Sequence, residues 1–243
     1  MFIHKKEPLY EVRVDKPDPQ FAEKLLERFG GATGELSAAL QYFVQSFHTE
    51  DPAIRDMLQD ISTEEFGHLE MVGLLIEQHT HRASAKLRDG AYKSTLFALR
   101  GIGPHYLDSQ GKAWDASYLN EGGSTVRDLR ADIAAEAGAL ATYEALLAIA
   151  PDEGTKRALQ HLATREVAHT KMFMLALKKL GKLDDPLFGD LKPDDTVDVY
   201  FNMSSGQGDL RGPWNSAPDF RFVDDPLPGQ NRIGNGHGAA ARH

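Results

Sequence analysis

One acid-and-imidazole pattern occurs twice at a constant spacing, and this repeat constrains the fold more than any other feature of the chain. Glu35-Leu-Ser-Ala-Ala-Leu-Gln-Tyr42 aligns without gaps on Glu136-Ala-Gly-Ala-Leu-Ala-Thr-Tyr143, 101 residues later. At the same offset Glu65-Phe-Gly-His68-Leu-Glu-Met71 aligns on Glu166-Val-Ala-His169-Thr-Lys-Met172, and Asp51 on Asp152. Each half is therefore one hairpin of helices, with an acid on its first arm and Glu-x-x-His on its second.

Helix signals frame both copies. Asp18-Pro19 is an N-cap followed by proline at the first helical position, opening a helix to about His48. Its apolar residues Phe21, Leu25, Leu36, Leu40, Phe43 and Phe47 recur at helical spacing. Gly30-Gly31 interrupts it, either as a kink or as room for a close neighbour or a cofactor. Asp51-Pro52 opens a second helix to about His81, and a third runs from about Ser124 to Ala150. Asp152 caps a fourth, which ends at Gly181 after Lys178 and Lys179.

Short turns make each pair antiparallel, and the long stretch 82–122, with Gly101, Gly103, Pro104 and Gly111, joins the pairs. The expected fold is all-α, a ferritin-like four-helix bundle of two antiparallel hairpins with a long crossover and an N-terminal arm, over residues 1–181. Residues 182–243, rich in Pro, Gly, Asp and Asn, form an extended irregular tail, either partly disordered or ordered by packing on neighbouring subunits.

The spacing fixes where the acids meet. Glu35 and Glu65 stand about fifteen residues on either side of the first turn, so at ~1.5 Å per residue both rise ~20 Å and reach one depth. Glu136 and Glu166 do the same around Pro151. In each Glu-x-x-His the two side chains share a helix face, and Tyr42 and Tyr143 lie two turns beyond the first acids. Four carboxylates and two imidazoles thus converge inside the bundle. Such crowding in a dry site demands countercharge or protonation, and two divalent cations supply it. Oxygen and imidazole donors suit manganese or iron.

Composition removes competing chemistries. With no cysteine, thiolate ligands, iron–sulfur clusters and disulfides are excluded. A net charge of −9 argues against nucleic acid or an anionic membrane as partner. The first residues lack the apolar core of a signal peptide, and no run of 18 uncharged apolar residues occurs, so a cytoplasmic location is expected.

On these residues the sequence resembles the manganese catalases, a branch of the ferritin-like superfamily, over nearly its whole length. The resemblance implies a dimanganese centre held by Glu35, Glu65, His68, Glu136 and His169, with Glu65 bridging. It implies that Glu166 is not a ligand but the proton-transfer group, and that Tyr42 belongs to the surrounding hydrogen-bond shell. The activity implied is disproportionation of hydrogen peroxide to water and dioxygen by a metal pair cycling between Mn(II) and Mn(III). The rivals are a di-iron oxidase or iron-handling protein on the same bundle, and a non-catalytic coat-type homologue. Some members of the family bind calcium between subunits; Asp56 and Asp60, with Asn202-Met-Ser204-Ser-Gly206, match those donors. Hexamers are usual in the family, so a homohexamer is expected. Ala135 stands where certain members carry an arginine paired with the proton-transfer acid.

The remaining conspicuous residues have ordinary expectations. His79 and His81 suit a helix C-terminus as imidazolium, Met172 and Met174 fill the core, and Trp114 and Trp214 anchor crossover and tail. His4, His105, His237 and His243 lie in arms or loops without partner spacing.

Overall fold

A computed structural model describes residues 5–81, 95–204, 208, 210–216, 218–224 and 226. His4, Gly206, His237, His243 and the side chain of His81 lie outside them. The helices are α1 (Pro19–Gly30), α2 (Glu35–Gln45), α3 (Pro52–His81), α4 (Thr95–Arg100), α5 (Thr125–Ile149) and α6 (Glu153–Lys179). The chain forms two compact units, Met1–Pro186 and Leu187–His243.

The start signals act as the sequence predicts. Asp18 Oδ1 accepts from the backbone N–H of Gln20 and Phe21, Asp51 Oδ1 from Ala53 and Ile54, and Asp152 Oδ1 from Thr155. The two hairpins follow, α2 packing on α3 and α5 on α6.

The first expected helix is two helices. α1 ends at Gly30, and α2 begins at Glu35. A Cβ at Gly30 would stand 2.5 Å from the Leu107 nitrogen, so the crossover backbone crosses where only glycine leaves space. The apolar periodicity expected to continue through this region misses the buried face of α2. That face is Glu35, Ser37, Ala39, Gln41, Tyr42 and Gln45, while Leu36, Leu40 and Phe43 are half-buried and Phe47 is 58% exposed. A helix that carries a polar site inward buries its polar residues, which inverts the usual pattern.

Two apolar clusters flank the middle of the bundle. Ile54, Leu58, Ile61, Leu129, Phe173 and Leu177 belong to one. Phe21, Leu25, Met71, Leu75, Leu146, Leu159 and Leu162 belong to the other. Along α3 and α6 the Glu-x-x-His motifs fall between the two sets. Met172 packs against the first cluster, but Met174 is 42% exposed, on the outward face of α6. Trp114 anchors the crossover, its indole Nε1 donating to Ser37 Oγ at 3.0 Å.

His79 differs from its expected role. It is buried, its Nδ1 accepts from the Asp18 N–H at 3.0 Å, and its Nε2 faces Thr155 Oγ1 at 3.1 Å. Burial outweighs the nearby Asp152 and Asp18 and lowers its pKa to about 4. The ring is a neutral clasp between arm and helices, not an imidazolium at a dipole.

The second unit contains a short parallel pair, β1 (Val199–Asn202) with β2 (Arg221–Asp224), within a segment expected to be irregular. Trp214 there is 61% exposed.

Candidate metal centre

Glu35, Glu65, His68, Glu136, Glu166 and His169 are all buried in the middle of the bundle, each nearly or fully inaccessible to solvent. They form two groups, Glu35–Glu65–His68–Glu166 and Glu65–Glu136–Glu166–His169, in each of which one ligand atom per residue lies within 4.8 Å of the others. Glu65 and Glu166 belong to both groups. The glutamate of each Glu-x-x-His is central, and the acids of α2 and α5 lie one in each group.

Both imidazoles turn Nδ1 inward. His68 Nδ1 is 2.9 Å from Glu65 Oε2, and His169 Nδ1 is 2.7 Å from Glu65 Oε1, so one carboxylate spans the two rings. His68 Nδ1 is also 3.8 Å from Glu35 and 3.7 Å from Glu166, and His169 Nδ1 is 3.5 Å from Glu136. The rings stack at 5.6 Å between centroids.

The tyrosines cross between repeats. Tyr42 on α2 donates to Glu136 Oε1 on α5 at 2.8 Å, and Tyr143 on α5 donates to Glu35 Oε1 on α2. Equivalent residues thus make equivalent contacts to the opposite half, as a two-fold repeat requires.

Arg28 was not singled out by the sequence pattern. The break at Gly30-Gly31 turns the end of α1 back, so that its wholly buried guanidinium donates to Thr33 O and to Glu35 Oε1, the latter at 2.6 Å. It also lies over the Tyr143 ring, 4.3 Å from the centroid. Burial opposes its charge, but Glu35, Tyr143 and Glu166 outweigh that and raise its pKa well above the usual value. Burial would raise Glu35, yet Arg28 and His68 hold it well below the ordinary carboxylate range.

The other acids behave oppositely. Burial pushes Glu65 up to about 7 against the pull of His68, and burial with Glu65 and Glu35 raises Glu166 well above the carboxylate range. Burial would lower His169, but Glu136, Glu64 and Glu65 raise it to about 11. Asp132, one turn before Glu136, is likewise raised by burial and accepts from Gln41 Nε2 at 2.9 Å.

A cation pair fits these residues. Oxygens of Glu35, Glu65, Glu136 and Glu166, with both ring nitrogens of His169, are buried without a hydrogen-bond partner among the described residues. Buried polar atoms rarely remain unmet, and here they gather in two overlapping groups. The donor set is carboxylate and imidazole, suited to manganese or iron.

A cavity of about 240 Å³ opens beside Glu136 and Tyr42, lined by alanines of α5, among them Ala135, by Ser37, Ala38 and Gln41 of α2, and by Tyr118 and Asn120 of the crossover. Ala135 therefore contributes open volume where a long side chain would fill it. The buried cation near Glu166 comes instead from Arg28.

Elsewhere, Asp56 and Asp60 are exposed one turn apart on α3. In the second unit Asn202 Nδ2 donates to Asp224 Oδ1 at 2.8 Å, and Ser204 Oγ donates to Asn202 Oδ1 at 2.7 Å.

Comparison with known proteins identifies the family. The sequence profile of the family described as manganese containing catalase matches residues 1–234. KatB, a manganese catalase from Anabaena of known crystal structure, is 64% identical, with a TM-score of 0.87 over 93% of this chain and 100% of that one. A probable manganese catalase from Clostridium acetobutylicum is 33% identical over 222 residues, covering 90% of this chain and 98% of the relative. The manganese catalase of Lactiplantibacillus plantarum is 28% identical over 266 residues, 98% of this chain and 100% of the relative. Shared architecture, a profile match along almost the full length and two buried acid–imidazole groups agree: the chain belongs to the manganese-containing catalase family.

Proposed function

We propose that this chain disproportionates hydrogen peroxide to water and dioxygen with two manganese ions per subunit. The observation that carries the proposal is the convergence of two buried donor groups sharing Glu65 and Glu166, with their polar atoms unmet. Glu35 and His68 would hold one ion and Glu136 and His169 the other, with Glu65, whose carboxylate faces both rings, available to both. Bound manganese supplies Lewis acidity and a reversible electron store.

The remaining work falls to the chain. Glu166 takes the peroxide proton and returns it to the departing oxygen, a role supported by its position in both donor groups and its lack of a fixed hydrogen-bond partner. Tyr42 and Tyr143 orient Glu136 and Glu35 from the opposite repeat. Arg28 keeps Glu35 ionised. The flanking apolar clusters keep bulk water from the site, and the alanine-lined cavity gives small solutes a way to Glu136.

Metal analysis and oxygen evolution from peroxide on one purified sample test this reading. Two manganese ions per chain with dioxygen release support it; ferrous oxidation without dioxygen release favours the di-iron alternative. Glu166→Gln retains manganese while oxygen evolution falls about 10²–10⁴-fold, the usual worth of general acid–base catalysis.

The family resemblance also motivates calcium as a second cation, with Asp56, Asp60, Asn202, Ser204 and Gly206 as donors drawn from neighbouring subunits, and a cytoplasmic homohexamer as the working assembly. Light scattering with and without a calcium chelator tests both. Among the described residues no helix is long and apolar enough to cross a membrane.

A further inference from the structure

Glu64 and Arg165 precede the two Glu-x-x-His motifs and are themselves 101 residues apart, so the repeat makes them equivalent positions. They meet each other. Arg165 Nε donates to Glu64 Oε1 at 2.5 Å and its Nη2 to Oε2 at 3.3 Å. Both side chains are about a quarter to a third exposed, on the outer side of the imidazole pair.

The same carboxylate faces both rings. Glu64 Oε1 is 3.5 Å from His68 Nε2, and Glu64 Oε2 is 3.2 Å from His169 Nε2. Neither Nε2 has a closed hydrogen bond among the described residues. The two stacked rings are therefore held between two adjacent glutamates of α3, Glu65 at their Nδ1 atoms and Glu64 at their Nε2 atoms.

An imidazole that binds a cation through Nδ1 carries its proton on Nε2, and the acceptor of that proton fixes both tautomer and ring angle. We propose that Glu64, steered by Arg165, is a positioning residue that accepts the Nε2–H of His68 and of His169 together, and so sets both metal positions from one carboxylate. This rests on His68 and His169 being ligands, as proposed above. An ionised carboxylate has acceptor sites enough for two N–H groups and a guanidinium. Two separate acceptors would leave the Nε2 ends of the rings independent; one shared acceptor couples them there, as Glu65 does at Nδ1.

Glutamine distinguishes these cases, because its amide has one acceptor oxygen and turns a donor toward the other ring. Stepwise Mn(II) affinity, measured by chelator competition, and the electron paramagnetic resonance of the loaded protein are compared in the unsubstituted chain, Glu64→Gln, Glu64→Ala and Arg165→Gln. For Glu64→Ala both affinities are expected to fall about ten- to hundredfold, the usual effect of losing such a partner. For Glu64→Gln the two steps separate, and the coupled-pair signal gives way to that of a single Mn(II). Arg165→Gln weakens both steps by less.

Unchanged affinities in Glu64→Gln and Glu64→Ala, even with a lower melting temperature, overturn the proposal and make the residue a surface ion pair. Loss confined to one metal in Glu64→Ala overturns the shared role. If the unsubstituted chain takes up no manganese pair, the ligand assignment itself fails, an outcome visible before any variant is compared. Should Glu64→Ala not fold, the near-isosteric Glu64→Gln decides alone.

Discussion

Arg28 and His79 are two buried cation-forming groups that the structure treats in opposite ways. Arg28 is charged and paired with Glu35, while His79 is neutral and clasped by backbone and hydroxyl. Arg28→Leu leaves Glu35 buried without its partner, so the metal-free protein should lose about 3–5 kcal/mol, measured by denaturant unfolding. The loss should be smaller once manganese is loaded, since the metal replaces the missing charge. For His79 the folded pKa of about 4 lies below the ordinary 6.5. Between those values the unfolded chain binds the extra proton, so stability falls as pH drops through that window and levels off below about 4. The contribution present above pH 6.5 is about 3 kcal/mol at ~1.36 kcal/mol per unit. Unfolding of the native chain and of His79→Gln across this range should reveal it as a difference in slope.

At the scale of elements, the arm and the helix break position the site from outside. The arm crosses the start of α6, where Asp15 Oδ2 accepts from the Gly154 N–H at 3.0 Å and a Cβ on Gly154 would collide with the Arg13 carbonyl. Gly154→Ala should therefore lift the arm, costing about 1–3 kcal/mol and speeding amide hydrogen exchange at residues 12–18. The hairpins, their caps and the depth at which six side chains meet were legible in the sequence, because caps are local and the repeat gave the pairing. The inward face of α2 was not. Apolar periodicity marks the face that packs, and on α2 the packed face carries Glu35, Gln41 and Tyr42. Arg28 escaped notice because it lies beyond the repeat and reaches Glu35 only across the break between α1 and α2. Glu64 and Arg165 resembled ordinary surface charges, although the constant offset already paired them.

For the molecule as a whole, the bundle's middle is electrostatically unfinished without cations, since Glu35, Glu65, Glu136 and Glu166 share one buried volume. Chelating the metals should lower the melting temperature measured by calorimetry. Each site held at a hundred times its dissociation constant contributes about 2.7 kcal/mol. The site also lies between two apolar clusters, so fraying at either end of the helices leaves the other end closed over it. A hydrated cation then enters past Glu136 or through opening of the helices, so an apoprotein folded before it meets manganese should fill more slowly than one that folds in its presence.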